Sequence, residues 1–428
     1  MATHATVSRG LPQRPRIEVP KREARELLRQ FRNASPDALD RIRRRHPKFH
    51  DADNATLCAA TFRLSDAQCV IAREYGFSHW TALKQRIEGN PAAVRLLKAI
   101  SAGDRDSTVR ILRANPQLLH VPLRSGNWGP PMSHAANLGR LDMVQAIAPI
   151  GARDVQHAFD RAILQGHLDC ARWLHQHGAQ LAPGIVMGAC ETLNAEGFRF
   201  LDELNAPFTN EKGDPLAPLA LVVETYGRHA EGKHRILERF ARRGYAFPDT
   251  PIVAFHRGDL RRLEQFLRRD PSLIHRHFAY REIYPGELGC ADDGRSGMHW
   301  TPLDGTTLLH IAIDFNDPAA FELLLRLGAD VNACARVDAE GFGGHTPLFN
   351  AVVCGPGRDT SMTQTLLARG ADPNRRASLR KFLDWCEEPR WHEARDVTPR
   401  DWARSFPDPM WVHHEALRLL DDGASNGR

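Results

Sequence analysis

The sequence lacks the local motifs by which many enzyme classes are recognised. Its 428 residues contain no complete G-x-x-x-x-G-K-[ST] phosphate loop and no H-E-x-x-H zinc motif. No run of about 18 apolar residues occurs, so we predict no membrane span. The first six residues have no apolar stretch of the kind that secretory signals carry. We therefore expect a cytoplasmic protein that is not an enzyme and that holds no cofactor.

Cysteine is sparse and scattered. The chain has eight cysteines, and no two of them form a C-x-x-C pair. This pattern disfavours both a disulfide framework and a thiolate zinc site. We expect free thiols, mostly buried, in a reducing compartment.

Positive charge is concentrated in one part of the chain. The net charge is +5, but residues 1–50 hold 13 Lys or Arg against 5 Asp or Glu. That segment alone carries +8, so the remainder is slightly acidic. Any electrostatic attraction to a polyanion would therefore depend on the N-terminal region.

The clearest positive signal is an internal repeat between Thr306 and Asn374. The first copy consists of Thr307–Ala312 followed by Phe321–Asn332, and the second of His345–Val352 followed by Gln364–Asn374. Each copy predicts a short helix, a turn, a longer apolar helix and a Gly-Ala-Asp stop. One such helix pair cannot bury its own apolar face, so the pattern predicts a stack of pairs.

These motifs resemble the ankyrin repeat, whose pattern is Thr-Pro-Leu-His-x-Ala, a Leu-rich helix and Gly-Ala-Asp-x-Asn. Leu308 replaces the family's proline in the first copy, and Phe349 replaces its histidine in the second. The resemblance implies an all-α ankyrin-repeat solenoid of stacked helix pairs. It also implies that His310 ties neighbouring repeat loops together and that the protein is a scaffold for binding another protein.

Degraded copies of the pattern and changes in composition divide the rest of the chain. A small N-terminal helical domain precedes the solenoid, in a layout that resembles the segment ahead of ankyrin repeats in some bacterial proteins. The predicted organisation is a disordered basic lead-in at 1–20, the helical domain at 21–91, degenerate repeats at 92–277, an inserted loop at 278–305, two clear repeats at 306–374, and a helical link with a capping repeat at 375–428.

The inserted loop at 278–305 is the leading candidate for a binding site. A loop of this length within a repeat array is more often functional than accidental. Its aromatic residues are of the types that dominate interface energetics. The predicted partner-binding residues are Tyr280, Tyr284, Trp300, Asp292 and Asp293, at the concave face and loop tips of the array. An alternative left open is that the loop folds over its own neighbours and packs these aromatics against the stack.

The sequence also offers two alternatives to protein binding, namely nucleic-acid binding and an enzyme or metal centre. The basic N-terminal helices predict a possible nucleic-acid surface made of Arg41, Arg43, Arg44, Arg45 and Lys48. Potential zinc ligands also lie in or beside the loop, namely His275, His277, Cys290, Asp292, Asp293 and His299. Their spacing matches no zinc motif, so we predict no metal site, and an enzyme or metal centre on the loop stays the least favoured alternative.

Overall fold

The computed structural model describes residues 16–50, 52–88, 91–124, 126–291, 293, 300–354, 358–383, 389–407 and 409–425. Residues 1–15 of the predicted disordered lead-in lie outside these residues, whereas its residues 18–20 belong to the first helix, so its predicted boundary at residue 20 is wrong. The chain forms two compact units. The first comprises residues 1–132 and 142–153, and the second comprises residues 133–141 and 154–428.

The first unit is helical. Its helices are α1 Glu18–Arg32, α2 Pro36–Arg45, α3 Asn54–Ala59, α4 Leu64–Glu74, α5 Trp80–Glu88, α6 Pro91–Ala102 and α7 Arg105–Ala114, with a 3₁₀ helix at Pro116–His120 and another at Ala148–Ile150. Helices α8 Pro131–Asn137 and α9 Leu141–Ile147 are each divided between the units. Apolar residues at helical spacing on α1, including Leu27 and Phe31, meet Val70 and Ile71 of α4 in a buried core.

The second unit contains the repeats. Its helices are α10 Val155–Gln165, α11 Leu168–Gln176, α12 Met187–Glu191, α13 Ala195–Glu203, α14 Ala217–Glu224, α15 Ala230–Arg242, α16 Pro251–His256, α17 Leu260–Arg269, α18 Tyr280–Ile283, α19 Leu308–Asp314, α20 Pro318–Arg326, α21 Pro347–Val352, α22 Ser361–Ala368, α23 Pro399–Ser405 and α24 His414–Ser425. Short 3₁₀ helices lie at Pro271–Ile274, Gly286–Leu288 and Pro409–Trp411.

Helix pairs stack in register through this unit. The first helices of successive pairs pack side by side, as α10 does with α12, α12 with α14, α19 with α21 and α21 with α23. The second helices do the same, as in α11 with α13, α13 with α15 and α17 with α20. The predicted all-α solenoid of stacked pairs is confirmed, because degenerate and clear repeats use one layered arrangement.

Two of the pairs share the same turn chemistry. In the α19–α20 pair, Asn316 takes a left-handed conformation with φ of 53°. Asp317 follows it, and its Oδ1 accepts a hydrogen bond from the Ala320 N–H at 3.0 Å. Gly258 and Asp259 repeat this arrangement between α16 and α17. A residue that tolerates positive φ, followed by a capping side chain, therefore sets the reversal.

His310 connects two layers, as the family motif implied. Its Nδ1 lies 2.9 Å from the Thr307 hydroxyl, and its Nε2 lies 3.1 Å from the His345 carbonyl oxygen. His345 in turn places its Nε2 2.9 Å from the Pro302 carbonyl oxygen. Because a carbonyl only accepts, each Nε2 carries the proton. These bonds fix the loop ahead of each first helix.

The predicted helical link after residue 375 is wrong. Residues Ala377–Leu383 and Arg390–Val397 form two antiparallel strands, β1 and β2. Side chains along β1 alternate strictly between buried and half-buried, which is the period of a strand and not of a helix. The last pair, α23 and α24, follows this hairpin directly.

Candidate functional site

The insertion, residues 278–305, leaves and rejoins the stack at one point. The Phe278 N–H donates to the Thr306 carbonyl, and the Gly305 N–H donates to the Phe278 carbonyl, each at 2.8 Å. Just inside this closure the Tyr280 N–H donates to Asp304 Oδ1 at 2.6 Å. The closed base makes the insertion a compact loop and not an open extension.

From this base the insertion forms hydrogen bonds with three of the first helices. The Ala291 N–H donates to Glu224 at the end of α14, at 2.9 Å. The Ile283 carbonyl accepts from His256 Nε2 at the end of α16, at 2.6 Å. The Thr301 hydroxyl donates to the Phe349 carbonyl of α21, at 3.2 Å. The chain itself therefore occupies this surface of the first helices.

The three aromatics predicted to bind a partner are instead part of the core. Tyr280, Tyr284 and Trp300 are 7%, 1% and 4% exposed. The Tyr284 ring lies 6.4 Å from that of Phe315, which follows α19, and Trp300 stacks on Trp411 at 3.6 Å. Aromatic rings bury large apolar areas, and here the nearest apolar surface belongs to the same chain. In the structure these aromatics of the loop pack against the stack, which is the alternative that the sequence left open.

Only one of the two predicted acidic residues is described. Asp292 lies outside the described residues, and Asp293 is exposed. The described part of the chain has no group of three or more His, Cys, Asp or Glu side chains arranged to hold a metal ion. Cys290 is buried, and His277 Nε2 contacts the Cys334 carbonyl oxygen at 2.8 Å. Both side chains therefore contact other parts of this chain.

Beneath the insertion lies a buried polar cluster. Arg228 and Asp314 form an ion pair at 2.9 Å, with side chains that are 4% and 0% exposed. Next to it, Lys233 Nζ lies 2.5 Å from His256 Nδ1 and 3.7 Å above the Phe315 ring. Burial, and then the Arg228 charge, lower the pKa of Lys233 well below its ordinary value. Burial, and then the Lys233 charge, likewise lower the pKa of His256.

Lys233 of this cluster belongs to a segment whose sequence nearly matches a phosphate loop. Residues 227–234 read Gly-Arg-His-Ala-Glu-Gly-Lys-His, with histidine where the motif requires Ser or Thr. Residues 227–229 lie in the turn between α14 and α15, and residues 230–234 form the start of α15. Lys233 is 3% exposed and contacts His256. The lysine of this segment packs inside the stack, so the segment does not present it to a phosphate.

The basic residues predicted to bind nucleic acid are largely held by partners within the first unit. Arg41 pairs with Glu74 at 2.8 Å, and Arg44 pairs with Asp40 at 2.8 Å. Arg43 and Arg45 donate to the backbone carbonyls of Ala52 and Arg73. Lys48 is exposed. These pairs reduce the charge available for phosphate groups, and nucleic-acid binding stays a prediction.

A groove that the sequence reasoning missed lies where three segments of the second unit meet. We call residues 335–345, the hairpin between α20 and α21, the finger. The finger-side groove encloses about 360 Å³ and is lined by Leu303 and Asp304 of the insertion, Arg336 and Asp338 of the finger, residues 379–382 of β1, and Trp391 of β2. This volume is within the usual range of ligand pockets.

Aromatic and basic side chains form one wall of the groove. Trp391 is 47% exposed and lies across the hairpin from Phe382, with the ring centroids 5.3 Å apart. The Arg380 guanidinium stands 4.7 Å above the Phe342 ring and pairs with Asp338 and Glu340 at 2.9 and 2.5 Å. Apolar and polar residues alternate only from Ala377 to Arg380, since Lys381 is buried, so the sequence signal for this strand is weak.

Gly343 joins the finger to β1. Its N–H donates to the Ser378 carbonyl at 2.6 Å, and the Ser378 N–H donates back to the Gly343 carbonyl at 3.3 Å. Gly343 has a φ of 124°, and a Cβ at this position would overlap the carbonyl oxygen of Arg336. Glycine is therefore required where the finger meets the strand.

Comparison with known proteins identifies one of the layers. Residues 304–336 match the family model of the ankyrin repeat. A 72-residue stretch is 38% identical to the ADP-ribosylation factor GTPase-activating protein AGD2 of Arabidopsis thaliana. That stretch is 17% of this chain and 8% of the relative.

A solved structure, the human ASB11 ankyrin repeat domain, aligns at 16% identity over 76% of this chain and 96% of its own, with a TM-score of 0.21. At that score the description of the fold depends on the structure of this chain and not on the alignment. No helix among the described residues is both long and apolar enough to cross a membrane.

Proposed function

Because this chain is an ankyrin-repeat protein, matched to its family at residues 304–336, we propose that it binds a partner protein through the finger-side groove. Ankyrin repeats support a role in protein interaction generally. The insertion already contacts the first helices α14, α16 and α21, so we assign the partner to the loop tips and not to the surface beneath the insertion.

The observation that carries this proposal is the exposed wall of the groove. Trp391 is one of the residue types enriched at interface hot spots, and about half of it faces solvent beside Arg380 and Phe382. A large aromatic ring in a groove of 360 Å³ offers an anchor that fixed neighbours surround. This is the arrangement that protein interfaces use for their strongest contacts.

The test compares Trp391→Ala with Met410→Ala in quantitative capture from the native host. Met410 is 61% exposed but does not line the groove, so its variant controls for the loss of any exposed apolar side chain. We expect proteins held by the unaltered chain and by Met410→Ala to be lost from Trp391→Ala at equal helical circular dichroism. Retention of all of them by Trp391→Ala would count against the groove.

A further inference from the structure

Positive charge accumulates a second time within the first unit. Residues 91–153 hold eight Lys or Arg against three Asp and no Glu, which gives +5. The whole unit, residues 1–132 and 142–153, holds 24 Lys or Arg against 13 Asp or Glu, which gives +11. Because the full chain carries +5, the second unit carries −6. The first unit therefore attracts polyanions and the second does not.

A groove in the first unit collects part of this charge. It encloses about 630 Å³ and is lined by Arg105, Asp106, Val109, Arg110 and Arg113 of α7, Ala146 of α9, and Pro149 and Ile150 of the following 3₁₀ helix. We call it the arginine groove. Its three arginines stand against one lining carboxylate, so the groove itself is positive.

The spacing along α7 places the arginines in a row. Thr108 and Leu112 are 0% exposed and turn inward, whereas Arg105, Arg110 and Arg113 are exposed. The first and last of these arginines are eight residues apart, which corresponds to about 12 Å along the helix axis. The positive charge therefore extends along the groove and does not converge on one point.

These arginines have no counter-ion of their own among the described residues. None of Arg105, Arg110 and Arg113 forms an ion pair there. Arg110 donates one hydrogen bond, from Nη2 to the Ser107 hydroxyl at 2.8 Å. The nearby Asp104 carboxylate caps α7, where it accepts the Ser107 N–H at 2.9 Å. The guanidinium groups can therefore take a further anionic ligand.

A comparable groove in the second unit has its arginines paired. That groove is lined by residues of α15 and of the turn between α16 and α17. Arg239 pairs there with Asp202 at 2.6 Å, and Arg242 with Glu238 at 3.1 Å. The contrast shows that an arginine-lined groove in this chain is not neutralised in the first unit as it is in the second.

A row of charges of this length favours a run of phosphates. Each strand of B-DNA presents one phosphate per about 3.4 Å of its axis, so about 12 Å passes three or four phosphates. A phosphopeptide concentrates its charge at one side chain, which a converging arginine cluster would bind better. A membrane presents a flat surface, which does not enter a groove.

We propose that the arginine groove binds the phosphate backbone of a nucleic acid. Arg105, Arg110 and Arg113 each contact one phosphate, and Val109 and Ile150 lie against the sugars. The described lining includes no aromatic ring and no amide side chain, so the groove holds the backbone and does not read bases. The site lies outside residues 41–48 and does not depend on the proposed function.

The test is fluorescence anisotropy of the full-length protein with a labelled DNA duplex of about 20 base pairs, at salt concentrations from about 50 to 200 mM. Each phosphate contact contributes about −0.9 to the slope of log K against the logarithm of salt concentration. We expect the combined variant Arg105→Ala, Arg110→Ala and Arg113→Ala to lose about 2.7 of that slope at equal helical circular dichroism. An unaltered slope, or no binding by the unaltered protein at the lowest salt, would overturn the inference.

A matched control removes the same charge from the second unit. It combines Arg242→Ala, Arg262→Ala and Arg268→Ala, three exposed arginines that each pair with a neighbouring carboxylate. We expect this variant to keep the salt slope of the unaltered protein. An equal fall in both combined variants would show that the net charge, and not the arginine groove, drives binding.

Two further probes define the ligand. A duplex RNA of the same length is measured in parallel, and the duplex that binds the unaltered protein more tightly identifies the kind of nucleic acid. Poly-L-glutamate with an equal number of charges should compete about 10-fold less well, because its lower charge density releases fewer condensed counterions. Equal competition by poly-L-glutamate would overturn nucleic-acid binding and indicate an acidic protein in its place.

Discussion

His310 and His345 are fully buried histidines in the best-matched repeats. Burial lowers the pKa of His310 from 6.5 to about 3 and that of His345 from 6.5 to about 4. Below pH 6.5 the unfolded chain binds protons that the folded chain does not, so stability falls as pH decreases through that window. The loss between pH 6.5 and pH 5 is on the order of 2 kcal/mol per histidine.

We therefore expect the urea midpoint of the unaltered protein to be lower at pH 5 than at pH 7. In His310→Gln, which cannot titrate, the difference between the two midpoints should shrink but not vanish, because His345 and His256 still contribute. The check is urea unfolding followed by circular dichroism at both pH values. Equal midpoints at pH 7 and pH 5 would contradict this account of the buried histidines.

The Arg228–Asp314 pair gives a second prediction at the residue scale. Replacing Asp314 by Ala leaves the Arg228 charge buried without its counter-ion, since both side chains are nearly inaccessible. We expect a loss of about 3–5 kcal/mol in the free energy of unfolding. Asp249→Ala breaks a pair with Arg262 that faces solvent, and its midpoint should hardly move. Similar losses in both variants would refute the difference in burial.

At the scale of elements, the role predicted for the insertion differs from the one that the structure gives it. Aromatic residues in a long loop predict large contact area, but composition does not say whether the contact is with another chain or with this one. Tyr284 and Trp300 face their own stack because the first helices beneath them end in apolar and aromatic residues such as Phe315. Only the path of the backbone in three dimensions decides this.

Tyr284→Ala tests that distinction. Because Tyr284 is 1% exposed among other rings, its truncation should lower the free energy of unfolding by about 3–5 kcal/mol. Arg281→Ala, one helical turn away on the exposed side of α18, serves as the control and should leave stability nearly unchanged. The measurement is chemical unfolding of each variant. An unchanged midpoint for Tyr284→Ala would restore the interpretation of Tyr284 as a partner-binding residue.

The helix pairs were predictable because their signals are local. Asp259 and Asp317 cap second helices, and the residue before each adopts positive φ. Two consecutive residues therefore determine the turn. The hairpin of β1 and β2 was missed because the repeat pattern does not cover it and because the buried residues of β1 include a lysine, Lys381, which breaks the alternation of apolar and polar residues. The sequence prediction therefore placed Trp391 in a helical link and not in the wall of a groove.

At the scale of the second unit, the insertion links layers that a simple repeat array would couple only to their neighbours. It contacts α14 through Glu224 and α21 through Phe349, and the Trp402 indole of α23 donates to Thr301 at 3.2 Å. Nearest-neighbour coupling allows a repeat array to unfold in sections. Contacts that span several layers favour a single cooperative transition from α14 to α23.

Replacing residues 279–303 by a short Gly-Ser linker should therefore divide this unfolding into more than one transition. Hydrogen exchange read by mass spectrometry should show α14 and α16, which the insertion contacts, exchanging faster than α10 and α11, which precede them in the stack. A linker of equal length to the removed segment controls for loop closure. One unchanged, cooperative transition in both linker variants would show that the insertion does not couple the layers.

The stacking of Trp300 on Trp411 has a practical consequence for optical spectroscopy. Two indole rings with centroids 3.6 Å apart and nearly parallel planes couple their electronic transitions, which produces a paired circular-dichroism band in place of two independent ones. One of these indoles belongs to the insertion and the other to the segment ahead of α24. The band consequently reports, without any label, whether that loop is seated.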